Sequence, residues 1–152
     1  MRRTIRRARD GTFQLKLTDD ERDLIVDLAT QLRELLVSEE SDGLERLYPP
    51  AYANDAERDA EYRAMVHDDL LQKRLAAVDV VEETAAATSL TEDQVTAWMG
   101  AINDLRLVLG TRLDVAEDQQ FPALDDPSAP AFAVYQYLTA LLGEIVHALS
   151  RG

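Results

Sequence analysis

Apolar residues recur every three or four positions along most of this chain, and alternate only near its start. Leu24, Ile25, Leu28, Leu32, Leu35 and Leu36 make one helical stripe that runs out near Ser38. Thr18-Asp19-Asp20-Glu21 opens it as a capping box, the threonine hydroxyl accepting a free first-turn amide while the glutamate reaches back to the cap. Ser41-Asp42-Gly43 breaks the pattern. Tyr48-Pro49-Pro50 then reads as a stiff spacer, because each proline fixes φ and turns the residue before it away from helix. Asn54-Asp55-Ala56-Glu57 caps a long second helix, without internal glycine or proline, predicted to run to about Ala87. A second capping box, Thr91-Glu92-Asp93-Gln94, opens a helix with Val95, Trp98, Met99, Ile102, Leu105, Leu109 and Leu113 on one side. Val115 to Pro127 reads as an acidic loop anchored by Phe121 or Leu124. Ser128 caps a last helix, with Pro130 tolerated in its first turn and Phe132, Tyr135, Leu138, Leu142, Ile145 and Leu149 as its stripe.

Thr4 to Ala8 and Thr12 to Leu17 flank Asp10-Gly11, a dipeptide that accepts the positive φ of a tight turn, so a two-stranded ribbon is predicted there. A lone ribbon is marginal, and Ile5, Phe13, Leu15 or Leu17 must pack on helices. The predicted fold is mostly α: one domain over 1–152, with a β-hairpin arm (1–17), a body of about four helices (18–152) and no sheet beyond the hairpin. A chain of 152 residues hides roughly 70% of its unfolded surface and needs no covalent staple.

It has no staple to offer. With no cysteine, disulfides, zinc–thiolate sites, thiol catalysis and thiol redox switching are excluded. The net charge of -13 is unevenly spread: Arg2, Arg3, Arg6, Arg7 and Arg9 put +5 in the first nine residues, which leaves -18 for the rest. The body should repel nucleic acid, so sequence-specific binding to it is not expected. The arginines are either charges that blunt an exposed edge strand, or an interaction arm that touches an acidic protein or a phosphate backbone. Apolar runs of only a few residues and the lack of an apolar signal core after the arginines point to the cytoplasm, with no membrane partner.

Glu144-Ile145-Val146-His147 has the spacing of a di-iron ligand pair, but Ala64 precedes His67 where the second pair would need a glutamate, so no metal site is expected. No nucleophile elbow and no phosphate-cradling glycine loop is present; neither an enzyme activity nor a cofactor is expected. The polar residues that stand out lie in the third helix. Arg106 follows Ile102 by four and precedes Leu109 by three, so it sits on or beside the buried stripe and needs a partner. Glu61, Asp68, Asp69 and Asp104 are the candidate carboxylates, and Asn103 and Arg112 extend the cluster. It is either a clamp that fixes helix register or a small-ligand pocket. Gly110 suggests a close backbone crossing or an early helix stop.

Asn103-Asp104-Leu105-Arg106-Leu107-Val108-Leu109-Gly110-Thr111-Arg112-Leu113 is also the most specific part of a wider resemblance. With Leu47 to Tyr52, Glu61-Tyr62-Arg63, Asp69-Leu70, Lys73, Trp98, Tyr135 and Leu138, it resembles an actinobacterial domain-of-unknown-function family that includes the oxidative-stress regulator AosR. The resemblance implies a non-enzymatic transcriptional regulator of oxidative-stress responses that works with a stress sigma factor and senses oxidation through cysteines. The absence of cysteine departs from that pattern at the sensing step. A protein partner is therefore expected, and a homodimer is left open.

Overall fold

A computed structural model of the chain describes residues 3–38, 56–113 and 127–150, with side chains from 66 onward in the second helix except at 67. The elements are β1 (Ile5–Arg7), β2 (Phe13–Leu15), α1 (Asp19–Ser38), α2 (Ala56–Thr84), β3 (Ser89–Leu90), α3 (Glu92–Arg112) and α4 (Ala129–Ser150). The fold is mostly α, as the periodicity predicts. The Tyr48-Pro49-Pro50 spacer, the Asn54 cap and the acidic loop with Phe121 and Leu124 lie outside the described residues, as do the side chains of Glu61 and His67.

Both capping boxes form. Thr18 N–H donates to Glu21 Oε1 at 3.1 Å while Glu21 N–H donates to Thr18 Oγ1 at 3.1 Å. Thr91 and Gln94 repeat the exchange at 2.9 and 3.2 Å. The hairpin turns at Gly11, whose φ of 88° is open to glycine at little cost. Asp10 accepts from the amide and hydroxyl of Thr12, and these bonds, the hydroxyl's first, hold its carboxyl below the ordinary value.

The sheet has a third strand, which corrects the expectation of a lone hairpin. β1 pairs β2 antiparallel with Arg6 opposite Gln14, and β2 pairs β3 with Phe13 opposite Leu90. The long helix accordingly ends at Thr84, before the alanine-rich Thr84–Thr88 run can join it. Thr84 Oγ1 donates to the Val80 carbonyl at 2.6 Å and accepts from Trp98 Nε1 at 2.7 Å, and Leu15 N–H then reaches the Thr88 carbonyl at 2.9 Å. A side chain bonded to its own helix and to Trp98 favours the exit there. Two residues carry no alternation to read, so β3 exists through its pairing alone.

Ile5, Phe13 and Leu15 join Ile25, Leu32, Leu36, Val78, Val81, Leu90, Trp98, Ile102, Leu138, Leu141 and Ile145 in one core. α3 packs against α2 on one side and α4 on the other, and β1 lies along α4. Being flanked twice, α3 buries Ala101, Asp104 and Val108 besides the expected Val95, Trp98, Ile102 and Leu105. It runs two residues past a buried Gly110, so the early stop does not occur there. By length and composition α4 is apolar enough to cross a membrane, which no short apolar run had suggested. Phe132, Leu138, Leu141, Ile145 and Ala148 instead turn one side of it into the core.

Candidate functional site

Two sites answer to the sequence candidates. In the first, Asp104 projects from α3 into the contact with α2, only 5% exposed, and Arg74 of α2 is its ion-pair and hydrogen-bond partner. Burial raises the carboxyl above its ordinary value, and the hydrogen bond and charge of Arg74 only partly offset this. Arg74 is not among the residues that the sequence singles out, although it lies four residues before Val78 and seven before Val81 on the buried side of α2. That register was the available signal; the polarity, arginine on α2 and acid on α3, reverses the arrangement expected.

Arg106 is half-buried, but its expected carboxylate partner is not found among the described residues. Its Nη1 donates to Tyr135 Oη of α4 at 3.4 Å and its Nη2 to Asn103 Oδ1 at 3.3 Å, while the buried Nε finds no acceptor among the described residues. Residues two apart on a helix do not face each other, so Asp104 turns to α2 while Arg106 turns to α4. Asp68 and Asp69 are exposed, and Asp69 pairs with Lys73 one turn on at 3.1 Å. With neutral partners at long range, Arg106→Ala should lower stability by about 1 kcal/mol in urea unfolding rather than the ~3–5 kcal/mol of a broken buried ion pair. A loss of that larger size would show that a charged partner had been removed.

Among the described residues, Asn103, Arg106 and Arg112 line no common cavity. Arg112 is exposed in the last turn of α3, where its charge suits the helix dipole. It borders a cleft of ≈ 50 Å³ between apolar side chains such as Leu28, Leu32, Leu105 and Leu138, a cleft that neither Asn103 nor Arg106 lines. Small-molecule sites are usually several hundred Å³. Among the described residues the arrangement is two contacts, one on each side of α3: Arg74 with Asp104 toward α2, and Arg106 with Tyr135 toward α4.

The second site is the arginine arm, and only part of it is free. Arg7 stacks over the Phe13 ring, 4.7 Å from its centroid. It donates to the carbonyls of Ala148 at 3.3 Å and Leu149 at 3.2 Å and pairs with Glu92 at 3.9 Å. A cation on the carbonyl end of α4 is favoured by the helix dipole, so Arg7 fastens the arm to the body. Thr4 N–H adds a bond to Glu144 Oε1 at 2.8 Å. Arg6 reaches Gln14 at 2.8 Å, Arg3 and Arg9 are exposed without an ion-pair partner among the described residues, and Arg2 lies outside them. Between β1 and α4 runs an open groove of ≈ 700 Å³ lined by Arg3, Arg6, Arg7 and Arg9, with Ala140, Gly143, Glu144 and His147 opposite. Glu144 and His147, weighed in the sequence as metal ligands, belong to this groove; among the described residues no group of three or more acids and histidines converges on a metal position.

Residues 1–149 match the sequence profile of the family described as Domain of unknown function (DUF2017). The chain belongs to that family. Within it, this DUF2017 domain is 34% identical over 99 residues to proteins of Mycobacterium bovis and Mycobacterium tuberculosis named oxidative stress regulator AosR, an alignment that covers 61% of this chain and 45% of each of theirs. A Mycobacterium leprae counterpart is 34% identical over 114 residues, covering 71% of this chain and 52% of its own. The chain thus spans about half the length of the curated relatives it matches. No solved structure matches it.

Proposed function

We propose that this DUF2017 chain is a non-enzymatic, cytoplasmic regulatory protein that acts in the transcriptional response to oxidative stress by binding another protein, a stress sigma factor being the partner that the AosR resemblance implies. The name of its mycobacterial relatives supports the regulatory part. The observation that carries the mode of action is the arginine-lined groove, a basic recess on a body of charge -18. Such a recess attracts acidic surfaces, while the acidic body repels a polyanion as long as DNA. With no cysteine, the chain has no thiol to oxidise, so in this reading the oxidant is sensed elsewhere and the chain transmits the response through its partner.

Transcript profiling of a deletion strain of the native host under peroxide, beside anisotropy titrations of the purified chain with promoter DNA, tests the proposal. The expected results are an altered set of peroxide-responsive transcripts and DNA binding no tighter than the ~10⁻⁴–10⁻⁶ M of nonspecific contacts at physiological salt. An unchanged peroxide response, or tight binding to one promoter retained over random competitor DNA, would contradict it.

A further inference from the structure

Five consecutive residues, Ile5, Arg6, Arg7, Ala8 and Arg9, all line the groove against α4. Successive side chains of a strand leave opposite faces, so a groove touched by every residue in turn runs along the edge of the strand. The register shows which backbone groups that edge carries. Lys16 N–H donates to the Thr4 carbonyl and Ala8 N–H to the Thr12 carbonyl, both at 2.8 Å, with Arg6 opposite Gln14 between them. Alternate pairs of an antiparallel ladder exchange hydrogen bonds, so Arg6, the Ala8 amide and the Thr4 carbonyl face β2, while the Thr4 amide turns to Glu144 of α4. Ile5 and Arg7 turn theirs outward, into the groove, and these groups have no hydrogen-bond partner among the described residues. Ile5 is only 2% exposed, so of the two it is the Arg7 groups that an incoming chain can reach.

We infer that the partner docks here by strand addition: an extended acidic segment lies along the edge of β1, exchanging backbone hydrogen bonds with Arg7, while its carboxylates meet Arg3, Arg6 and Arg9. The inference rests on the protein-partner reading above and gives that partner a surface and a chemistry. Backbone bonds supply the affinity in such complexes, and side chains at alternate positions supply the specificity. The opposite wall is built for a close neighbour, with the small residues Ala140, Gly143 and Ala148 along it. Its one carboxylate, Glu144, is engaged by the Thr4 amide. Arg7 is committed to the end of α4, which leaves Arg3, Arg6 and Arg9 for the incoming acids. A second copy of this chain would set these arginines against their own counterparts, which like-charge repulsion disfavours. A nucleic acid would satisfy the charge but has no backbone amide and carbonyl to meet those of Arg7.

The test titrates the full chain with a fluorescent alternating Val–Glu peptide of about ten residues at physiological ionic strength. Parallel titrations use its Gln-for-Glu version and two versions N-methylated either at every Val or at every Glu. The expected results are binding at least about tenfold weaker for the neutral peptide and for one methylated peptide, retention by the other, and slower amide hydrogen exchange at Arg7 in the complex. The doubly substituted Arg3→Glu, Arg9→Glu chain, altered only at exposed positions and checked for an unchanged circular dichroism spectrum, should bind at least about tenfold more weakly. No binding, equal binding of both methylated peptides, or an oligonucleotide of matched charge that binds more tightly than the peptide would overturn the inference. The outcome separates from that of the functional reading: a native partner bound equally by the parent and the double variant removes the strand site and leaves a protein partner standing. A chain that has no partner in the cell removes the functional reading whatever the peptide does.

Discussion

Replacing Arg74 with alanine should lower the unfolding free energy at neutral pH by about 3–5 kcal/mol, because it strands the carboxylate of Asp104, 5% exposed, between α2 and α3. Single domains are stable by only about 5–15 kcal/mol, so the variant should be close to unfolding at ambient temperature. The deficit should depend on pH in a definite direction. Burial already raises the Asp104 carboxyl above 3.8 against the pull of Arg74, and loss of the guanidinium raises it further. A carboxyl whose folded pKa exceeds its unfolded one contributes stability that is complete below the unfolded value and is lost as pH rises through the folded value. The gap between Arg74→Ala and the parent should therefore be widest near neutrality and narrow as the solution is acidified toward pH 4. Arg74→Leu combined with Asp104→Leu should recover much of the loss, since an apolar pair leaves no buried charge. Urea unfolding of the variants across that pH range measures all three effects, and a loss below about 1 kcal/mol at neutral pH would show that the pair is not a buried clamp.

Trp98→Ala should cost a similar amount, about 3–5 kcal/mol, for a different reason. Trp98 is wholly buried where α3 meets the end of α2, and its indole N–H donates to Thr84 Oγ1 at 2.7 Å, the bond that accompanies the end of α2 and the turn toward β3. Truncation leaves a cavity and also removes the donor that holds Thr84. Trp98→Phe fills most of the volume and lacks only that donor, so it should lose a fraction as much, on the order of 1 kcal/mol. Thermal unfolding distinguishes the two, and equal losses for Phe and Ala would show that the hydrogen bond, rather than the packing, carries the effect.

Features set by neighbours in the sequence could be read from it, and features set by docking could not. Thr18 with Glu21 and Thr91 with Gln94 are local exchanges, and both form as the spacing implies. Ser89 and Leu90 have no alternation to display, and they are a strand only because β2 passes beside them. The place of Arg106 beside a stripe implies a mostly buried guanidinium, and the structure leaves it half-buried; a helical position does not say which helix lies opposite, and the buried carboxylate belongs with Arg74 instead. Arg74, in register with Val78 and Val81, could have been noticed; its pairing with Asp104 follows from how α2 packs on α3. The five arginines were plain as a charge. That Arg7 is drawn inward while Arg3, Arg6 and Arg9 stay on a groove depends on where the end of α4 arrives, some 140 residues further along the chain.

Quantitative affinity capture from the native host under peroxide stress, with the parent chain and the Arg3→Glu, Arg9→Glu variant compared side by side, decides whether the chain works through a protein partner held at the arginine groove. The parent should enrich a transcription component, a sigma factor first among them, and the variant should lose at least about nine-tenths of that enrichment. Recovery of the same proteins in the same amounts by both chains, or no enrichment by either, would contradict it.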